Sequence, residues 1–380
     1  MRFLHLGDLH IGKRVNEFSM LEDQRAVLEQ FIGVARERHV DAVLIAGDFY
    51  DRQVPSEQAV RLASWFLEEL HGLELPVLMV PGNHDSAERL SFLAGVIGHE
   101  GIHIAGPYAG KVERVVLEDD AGPVVVHLLP YLTPAEVRHA HPKSEAHTFD
   151  EAIRTVVAAM DIDTGARNVL VAHQLVLGGA DPIRCDSEQA SIGGLDEVSA
   201  SALEAFDYVA LGHLHAPQWV VPGKVRYCGS PLKYSFSEAR QRKCANVVTL
   251  GATGAVGLEE VPIELPHDMA ELRGTMAEVR EQAEAQPELA DCYLRVTLTE
   301  PTSDARAKLQ DLFPLLMRVE FDYASPDAAS VGGGAKDVEQ LDPAEVFSEL
   351  FRQTNGRSMT DAENQAFAKV LSTIQEGGVR

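Results

Sequence analysis

Five short polar motifs, spread from residue 8 to residue 215, carry side-chain types that bind divalent cations. They are Asp8-x-His10, Gly47-Asp48, Gly82-Asn83-His84, His173 and Gly212-His213-x-His215. Each follows an apolar run, and most sit beside a glycine. Along a strand, residues i and i+2 point the same way, so Asp8 with His10, and His213 with His215, can each aim two donors into one space. A carboxylate has about four lone-pair sites, so Asp48 can bridge two cations. Two ions about 3.5–4 Å apart can clamp the attacking and leaving oxygens of a phosphoester. Carboxylate, amide and imidazole donors suit Mn²⁺, Fe²⁺ or Zn²⁺ better than Ca²⁺ or Mg²⁺. No thiolate is among them, so a structural zinc site is not expected. One D-x-H pair alone is usually a turn, and a lone histidine is usually packed or solvated. The signal is the ordered set. His139, His141 and His147 keep the ordinary reading of a solvated loop, His5 that of a packed strand residue, and His127 that of a core residue.

Positioning these side chains falls to alternating strands and helices. Residues 2–7 read as a strand, 21–38 as a helix with Val27, Leu28, Phe31, Val34 and Ala35 on one stripe, and 41–46 as a buried strand. Gly47 lets the chain turn at once, holding Asp48 out at the strand end. A helix opening at Pro55-Ser56-Glu57 and a strand over 76–80 complete a βαβ rhythm, which puts ligands at the carboxyl ends of parallel strands. A more antiparallel half follows: a hairpin of 112–117 with 124–129, a helix near 149–160, strands ending at His173 and Gly212, and two closing strands at 247–250 and 256–261. From about Pro262 the pattern predicts helix 269–282, strand 293–298, helix 304–312 and strand 317–322, a small α/β unit. Ser325 to Lys336 reads as a flexible linker. Beyond it, Asp342-Pro343 and Thr360-x-x-Glu363 are helix-start signals. Two apolar stripes, Val346, Phe347, Leu350, Phe351 and Phe367, Val370, Leu371, Ile374, read as short amphipathic helices that either fold back on the preceding small α/β unit or dock on a partner.

Composition bounds the class. The chain has 380 residues with 45% hydrophobic and 24% charged, as expected of a globular protein of two or three units. No apolar run reaches membrane-span length, the N-terminus shows no signal pattern, and the four cysteines are scattered, which together predict a cytoplasmic location. A net charge of −25 should repel nucleic acid unless the charge is uneven. It is uneven: Lys224, Arg226, Lys233, Arg240, Arg242 and Lys243 stand against Glu238 alone, with Tyr227, Tyr234 and Phe236 among them. Such a stretch reads equally as a solvated basic loop or as a nucleic-acid contact; on the second reading Lys224, Arg226, Lys233, Tyr234, Arg240, Arg242 and Lys243 are the candidate DNA contacts.

On Gly7-Asp8-Leu9-His10, Gly47-Asp48-Phe49-Tyr50-Asp51, Gly82-Asn83-His84-Asp85, His173 and Gly212-His213-Leu214-His215, the chain resembles the calcineurin-like metallophosphoesterases. Its whole length is similar, more narrowly, to the SbcD-type nuclease subunits of DNA-repair complexes. That likeness rests on Leu4-His5-Leu6-Gly7-Asp8-Leu9-His10 and on Gly229-Ser230-Pro231-Leu232-Lys233-Tyr234-Ser235-Phe236-Ser237-Glu238. The resemblance implies an α/β fold: a four-layer-type metallophosphoesterase β-sandwich flanked by helices, with a small α/β capping domain and C-terminal helices. It implies a nuclease domain over 1–261, a DNA-capping domain over 262–324, a linker over 325–340 and ATPase-partner-binding helices over 341–380. Asp8, His10, Asp48 and His215 would hold one Mn²⁺ and Asp48, Asn83, His173 and His213 the second, with Mg²⁺, Fe²⁺ or Zn²⁺ as substitutes. His84 would be the catalytic histidine. The activity implied is a double-strand exonuclease and single-strand or hairpin endonuclease in DNA repair, recombination and replication. It would work in association with the nucleoid, as a homodimer within a heterotetramer with an SbcC-type, SMC-like ATPase.

Arg52 occupies a position where some relatives carry a further histidine, which leaves a second histidine helper without a residue. Gly47-Asp48-Phe-Tyr-Asp51-Arg52 also looks like the pattern of protein phosphatases, so a phosphatase or cyclic-nucleotide phosphodiesterase is the nearest alternative. A scaffold without catalysis is the third; the intact ligand set and His84 speak against it.

Overall fold

The computed structural model describes residues 1–179, 181–188 and 196–322, with Ser348, Phe351, Met359, Thr360, Glu363, Asn364 and Phe367 beyond them. The chain divides into two compact units, Met1–Phe321 and Asp322–Arg380. In the first, β1 (Arg2–Leu6), α1 (Leu21–Glu37), β2 (Ala42–Ala46), α2 (Glu57–Gly72), β3 (Val77–Val80) and β4 (Ile102–Ile104) alternate as the periodicity predicts. They are followed by β5 (Glu113–Asp119), β6 (Gly122–Leu129), α3 (Phe149–Ala159), β7 (Arg167–His173), β8 (Tyr208–Gly212), β9 (Gln218–Val221), β10 (Val225–Tyr227), β11 (Cys244–Leu250) and β12 (Val256–Pro262).

Two six-stranded sheets result, in the orders β12-β11-β1-β2-β3-β4 and β9-β10-β8-β7-β6-β5. The first keeps β1 to β4 parallel and adds β11 and β12 antiparallel. In the second, β6, β7, β8 and β10 run parallel, with β5 and β9 antiparallel at the edges. Side-chain alternation sorts each strand between two cores. Phe3, Leu44 and Val80 of the first sheet meet Val126, Val171 and Ala210 of the second in the middle of the sandwich. Leu4, Val43 and Ile45 point the other way, onto Val27 and Phe31 of α1 and Phe66 of α2. Leu170, Val209 and Leu211 likewise pack on Ile153 and Val156 of α3. The layers are helix, sheet, sheet, helix. Burial on both faces explains why these strands read as unbroken apolar runs.

Residues past 262 depart from the predicted pattern. The stretch expected as one helix over 269–282 is β13 (Met269–Gly274) followed by α4 (Met276–Ala285). Thr275 caps that helix, its hydroxyl accepting from Glu278 N while the Glu278 carboxylate accepts from Thr275 N. Met269 and Leu272 go inward, and β13 pairs in parallel with β14 (Tyr293–Leu298). Cross-strand pairing and a capping box thus break a run whose composition suits a helix throughout. With α5 (Ala305–Gln310) and β15 (Leu316–Phe321) these elements form a three-stranded parallel sheet. Its Met269, Tyr293 and Met317 join the cluster that holds Leu232, Tyr234 and Phe236. The predicted linker and most of 341–380 lie outside the described residues, as do Val346, Phe347, Leu350, Val370, Leu371 and Ile374. Within the second unit, Thr360 and Glu363 exchange the reciprocal bonds of a capping box.

Candidate metal centre

Every one of the seven predicted ligands reaches the same place, at the carboxyl ends of parallel strands. Asp8 and His10 follow β1, Asp48 follows β2, Asn83 follows β3, His173 ends β7, and His213 and His215 follow β8. Asp48 is the hub. Its Oδ1 accepts the His84 amide at 2.9 Å, leaving Oδ2 3.6 Å from His10 Nε2 and 3.4 Å from His173 Nε2. Asn83 Oδ1 lies 2.9 Å from His173 Nε2 and 3.3 Å from His213 Nδ1. His10 Nε2 faces His215 Nε2 at 3.2 Å. Asp8, His10 and His215 offer ligand atoms within 4.8 Å of one another, and Asp8, Asp48 and His173 do the same.

The donor set fits divalent cations. The Asp8 carboxylate accepts the His213 amide at 2.8 and 3.1 Å, and His10 Nδ1 is buried with no hydrogen-bond partner. The Ala46 carbonyl accepts from His173 Nδ1 at 2.8 Å, which aims Nε2 at Asp48 and Asn83. Among the described residues, no lysine or arginine enters this group to balance two buried carboxylates, so cations are the natural counter-charge. Asp8, His10, Asp48, Asn83 and His215 would hold or share the ions with His173 and His213, with Asp48 Oδ2 placed between the two histidine sets.

The backbone is bent to make this possible. Asp8, His10, Asp48 and His213 all have positive φ, at 50°, 46°, 48° and 106°. A non-glycine residue in that region is uncommon and is held only by strong surroundings, so four in one site is a mark of function. Gly47 turns at φ 82° directly before Asp48. At Gly82 a Cβ would sit 2.2 Å from Asp48 Oδ1 and 2.4 Å from Asp48 N, so only glycine lets β3 pass the hub.

Electrostatics follow from burial and charge. Burial drives the His10 imidazole well below its ordinary range and His213 down to about 3, with cationic His173 adding to the latter. Burial opposes a charged Asp48, yet His173 beside it holds the carboxyl well below the usual range. Burial also opposes a charged His173, but Asp48 and then Asp8 outweigh it and push the imidazole up to about 9. Burial, with the Asp48 charge, pushes Asp8 up to about 6.

His84 is half-buried at the edge of this cluster. Its Nδ1 lies 3.1 Å from the Asp51 carbonyl, and its ring centroid is 4.8 Å from that of His10. Arg52 is exposed, with Nε 3.6 Å from Asp51 Oδ2. Asp85 escapes the motif reading, although it completes Gly-Asn-His-Asp. Its carboxylate accepts from Gly82 N, Phe49 N and Tyr50 N at 2.9 to 3.0 Å and so ties the loops after β2 and β3 together.

The basic segment needs correction. Arg226 is buried, bonded to Asn246 and paired with Glu260; Lys233 is buried against Asp268 and the Ala239 carbonyl. Lys243 is buried on Glu238, and Tyr234 is buried with its hydroxyl on the Leu9 carbonyl. Those four cannot present themselves to a phosphate backbone. Charge in a sequence says nothing of burial, and internal partners absorb these cations. Of the segment's basic residues only Arg240 and Arg242 are exposed, with Lys224 half-buried on the Glu204 carbonyl. Both histidines read as packed are so: His5 Nδ1 lies 2.8 Å from the Tyr208 hydroxyl and His127 Nε2 3.0 Å from Asn168 Oδ1.

Against known proteins, residues 1–217 match the Calcineurin-like phosphoesterase family. Residues 265–355 match SbcD_C, described as the Type 5 capsule protein repressor C-terminal domain. Among solved structures, the chain is similar to TT1561 of Thermus thermophilus, at 13% identity over 68% of this chain and 98% of that one, TM-score 0.38. It is also similar to a dimetal phosphatase from Danio rerio, at 12% identity over 68% and 95%, TM-score 0.40. A third is Yfce, a phosphoesterase from E. coli, at 13% identity over 70% and 100%, TM-score 0.27. Likenesses this distant carry no weight beyond the family match.

Proposed function

Because this chain belongs to the calcineurin-like phosphoesterase family, we propose that its phosphoester hydrolase chemistry is that of a Mn²⁺-dependent DNA nuclease working with an SMC-like ATPase. The observation that carries the hydrolytic reading is the convergence of seven donors from five strand ends around Asp48 Oδ2. The SbcD_C match over 265–355 supports DNA over a small phosphoester as substrate, since it covers the lobe that a small substrate does not require.

Cations bound there supply Lewis-acid charge for a phosphoryl oxygen and lower the pKa of water. The protein's own part is positional. Asp48, held by the His84 amide, fixes the spacing of the two donor sets. With the Asp51 carbonyl accepting from Nδ1, His84 presents Nε2 as the atom that steadies the phosphate or hands a proton to the leaving oxygen. Domain limits at 261 and 324, a homodimer and partner-binding tail helices belong to the same proposal.

The deciding assay offers linear duplex and hairpin DNA, with Mn²⁺ and with or without the ATPase, beside a phosphopeptide. DNA cleavage that the ATPase modulates supports the nuclease. Turnover of the phosphopeptide with intact DNA would transfer the site to the phosphatase reading.

A further inference from the structure

Behind His215 lies a second polar cluster, buried at its centre and half-buried at Ser187 and Glu188, that the reaction described above does not use. Glu238 and Lys243 have no exposed side-chain surface and pair at 2.7 Å. Glu238 Oε1 also accepts from the Ser187 hydroxyl at 2.6 Å, from Tyr234 N at 3.1 Å and from the Ser235 hydroxyl at 3.0 Å. Ser187 Oγ in turn stands 2.8 Å from His215 Nδ1. Lys243 Nζ holds the His215 carbonyl at 3.0 Å, and Glu188 Oε1 accepts the His215 amide at 2.8 Å.

Hydrogen-bond bookkeeping fixes the direction of this relay. A serine hydroxyl has one proton, and a carboxylate paired with lysine can only accept. Ser187 therefore donates to Glu238, and its oxygen must accept from His215 Nδ1–H. That leaves His215 Nε2 without a proton, facing His10 Nε2 and the Asp8 side of the centre. The same segment holds the opposite ligand loop: the Tyr234 hydroxyl donates to the Leu9 carbonyl at 2.6 Å, and Gln24 Nε2 bonds that hydroxyl and the His10 carbonyl. None of these bonds reaches Asn83, His173 or the His213 side chain.

We propose that Glu238, acting through Ser187, is a positioning residue that sets the His215 tautomer and thereby the affinity of one cation position, the one shared by Asp8, His10 and His215, while leaving the other unchanged. The stretch from Ser230 to Lys243 is on this account a frame for half of the metal centre. The inference rests on the two-cation reading of the site.

The test is a Mn²⁺ titration of the full chain by calorimetry, with stoichiometry checked by elemental analysis. Ser187→Ala is expected to weaken one class of site by about ten- to hundredfold, the usual cost of losing such an outer partner, and to leave the second class at its wild-type affinity. Ser187→Thr, which keeps the hydroxyl, restores both. Glu238→Gln should repeat the Ser187→Ala pattern, and the thermal midpoints of the variants in chelator identify any loss caused by misfolding. Equal weakening of both classes, or two unchanged classes in a folded Ser187→Ala protein, overturns the proposal. Failure of the wild-type chain to bind two Mn²⁺ would instead remove the reading on which it stands.

Discussion

Replacing His84 by alanine removes an imidazole that sits beside the cluster without being one of its seven donors. DNA cleavage should fall by about 10²–10⁴-fold while Mn²⁺ stoichiometry stays at the wild-type value; retained turnover would exclude His84 from proton work. His5 makes a prediction about pH. Burial lowers its folded-state pKa from 6.5 to about 3, with Arg226 adding to the effect. The unfolded state then binds the extra proton between those values, so stability is fully present above about pH 6.5 and drains as pH falls toward 3. By pH 5 this one group costs about 2 kcal/mol, and His5→Gln should flatten the acid limb of a denaturant-midpoint series by that amount. At this scale the sequence is informative where chemistry demands a residue type. Asp8, Asp48 and the histidine pairs are legible because few other side chains can ligate. Asp85 is not, because an acid that serves backbone amides looks the same in sequence as an acid on the surface.

Strand ends and the glycines beside them govern the next scale. Gly82→Ala would drive a methyl into Asp48, so both Mn²⁺ positions and cleavage should be lost together, whereas Gly72→Ala, with open space around it at the end of α2, should change neither. Exposed Arg240 and Arg242 are the remaining cations of the 224–243 segment able to meet phosphates. Replacing both by alanine should reduce the slope of log affinity for duplex DNA against log salt by about 2, and Lys233→Ala should act on stability instead. The βαβ half can be read from periodicity because parallel strands covered on both faces are unbroken apolar runs. The 269–282 stretch cannot, since Met269 and Leu272 suit either a helix stripe or an alternating strand, and pairing with Tyr293–Leu298 decides the matter. The 224–243 segment misleads for a related reason: Arg226, Lys233 and Lys243 face inward, and only the fold says so.

For the whole molecule, a charge of −25 predicts weak DNA binding unless cations and the exposed arginines offset it, so affinity should depend on Mn²⁺ as well as on salt. The tail makes a separate prediction from its apolar stripes. Leu350→Asp with Leu371→Asp should abolish co-purification with the proposed SMC-like ATPase while leaving the proposed duplex cleavage by the free chain unaltered, and undiminished co-purification would remove the tail from partner binding. The sandwich itself is foreseeable from its strands, but not how its halves face each other, which His5 and Tyr208 help to fix across the interior. Asp8, His10, Asp48 and Asn83 come from one sheet, and His173, His213 and His215 from the other. An ion held by donors from both would act as a rivet through both plates. At a hundredfold excess over its dissociation constant, one such rivet adds about 2.7 kcal/mol of mass-action protection. Removal of the divalent cations should therefore be felt first by proteases, as shorter lifetime under limited digestion, and only afterwards as slower turnover.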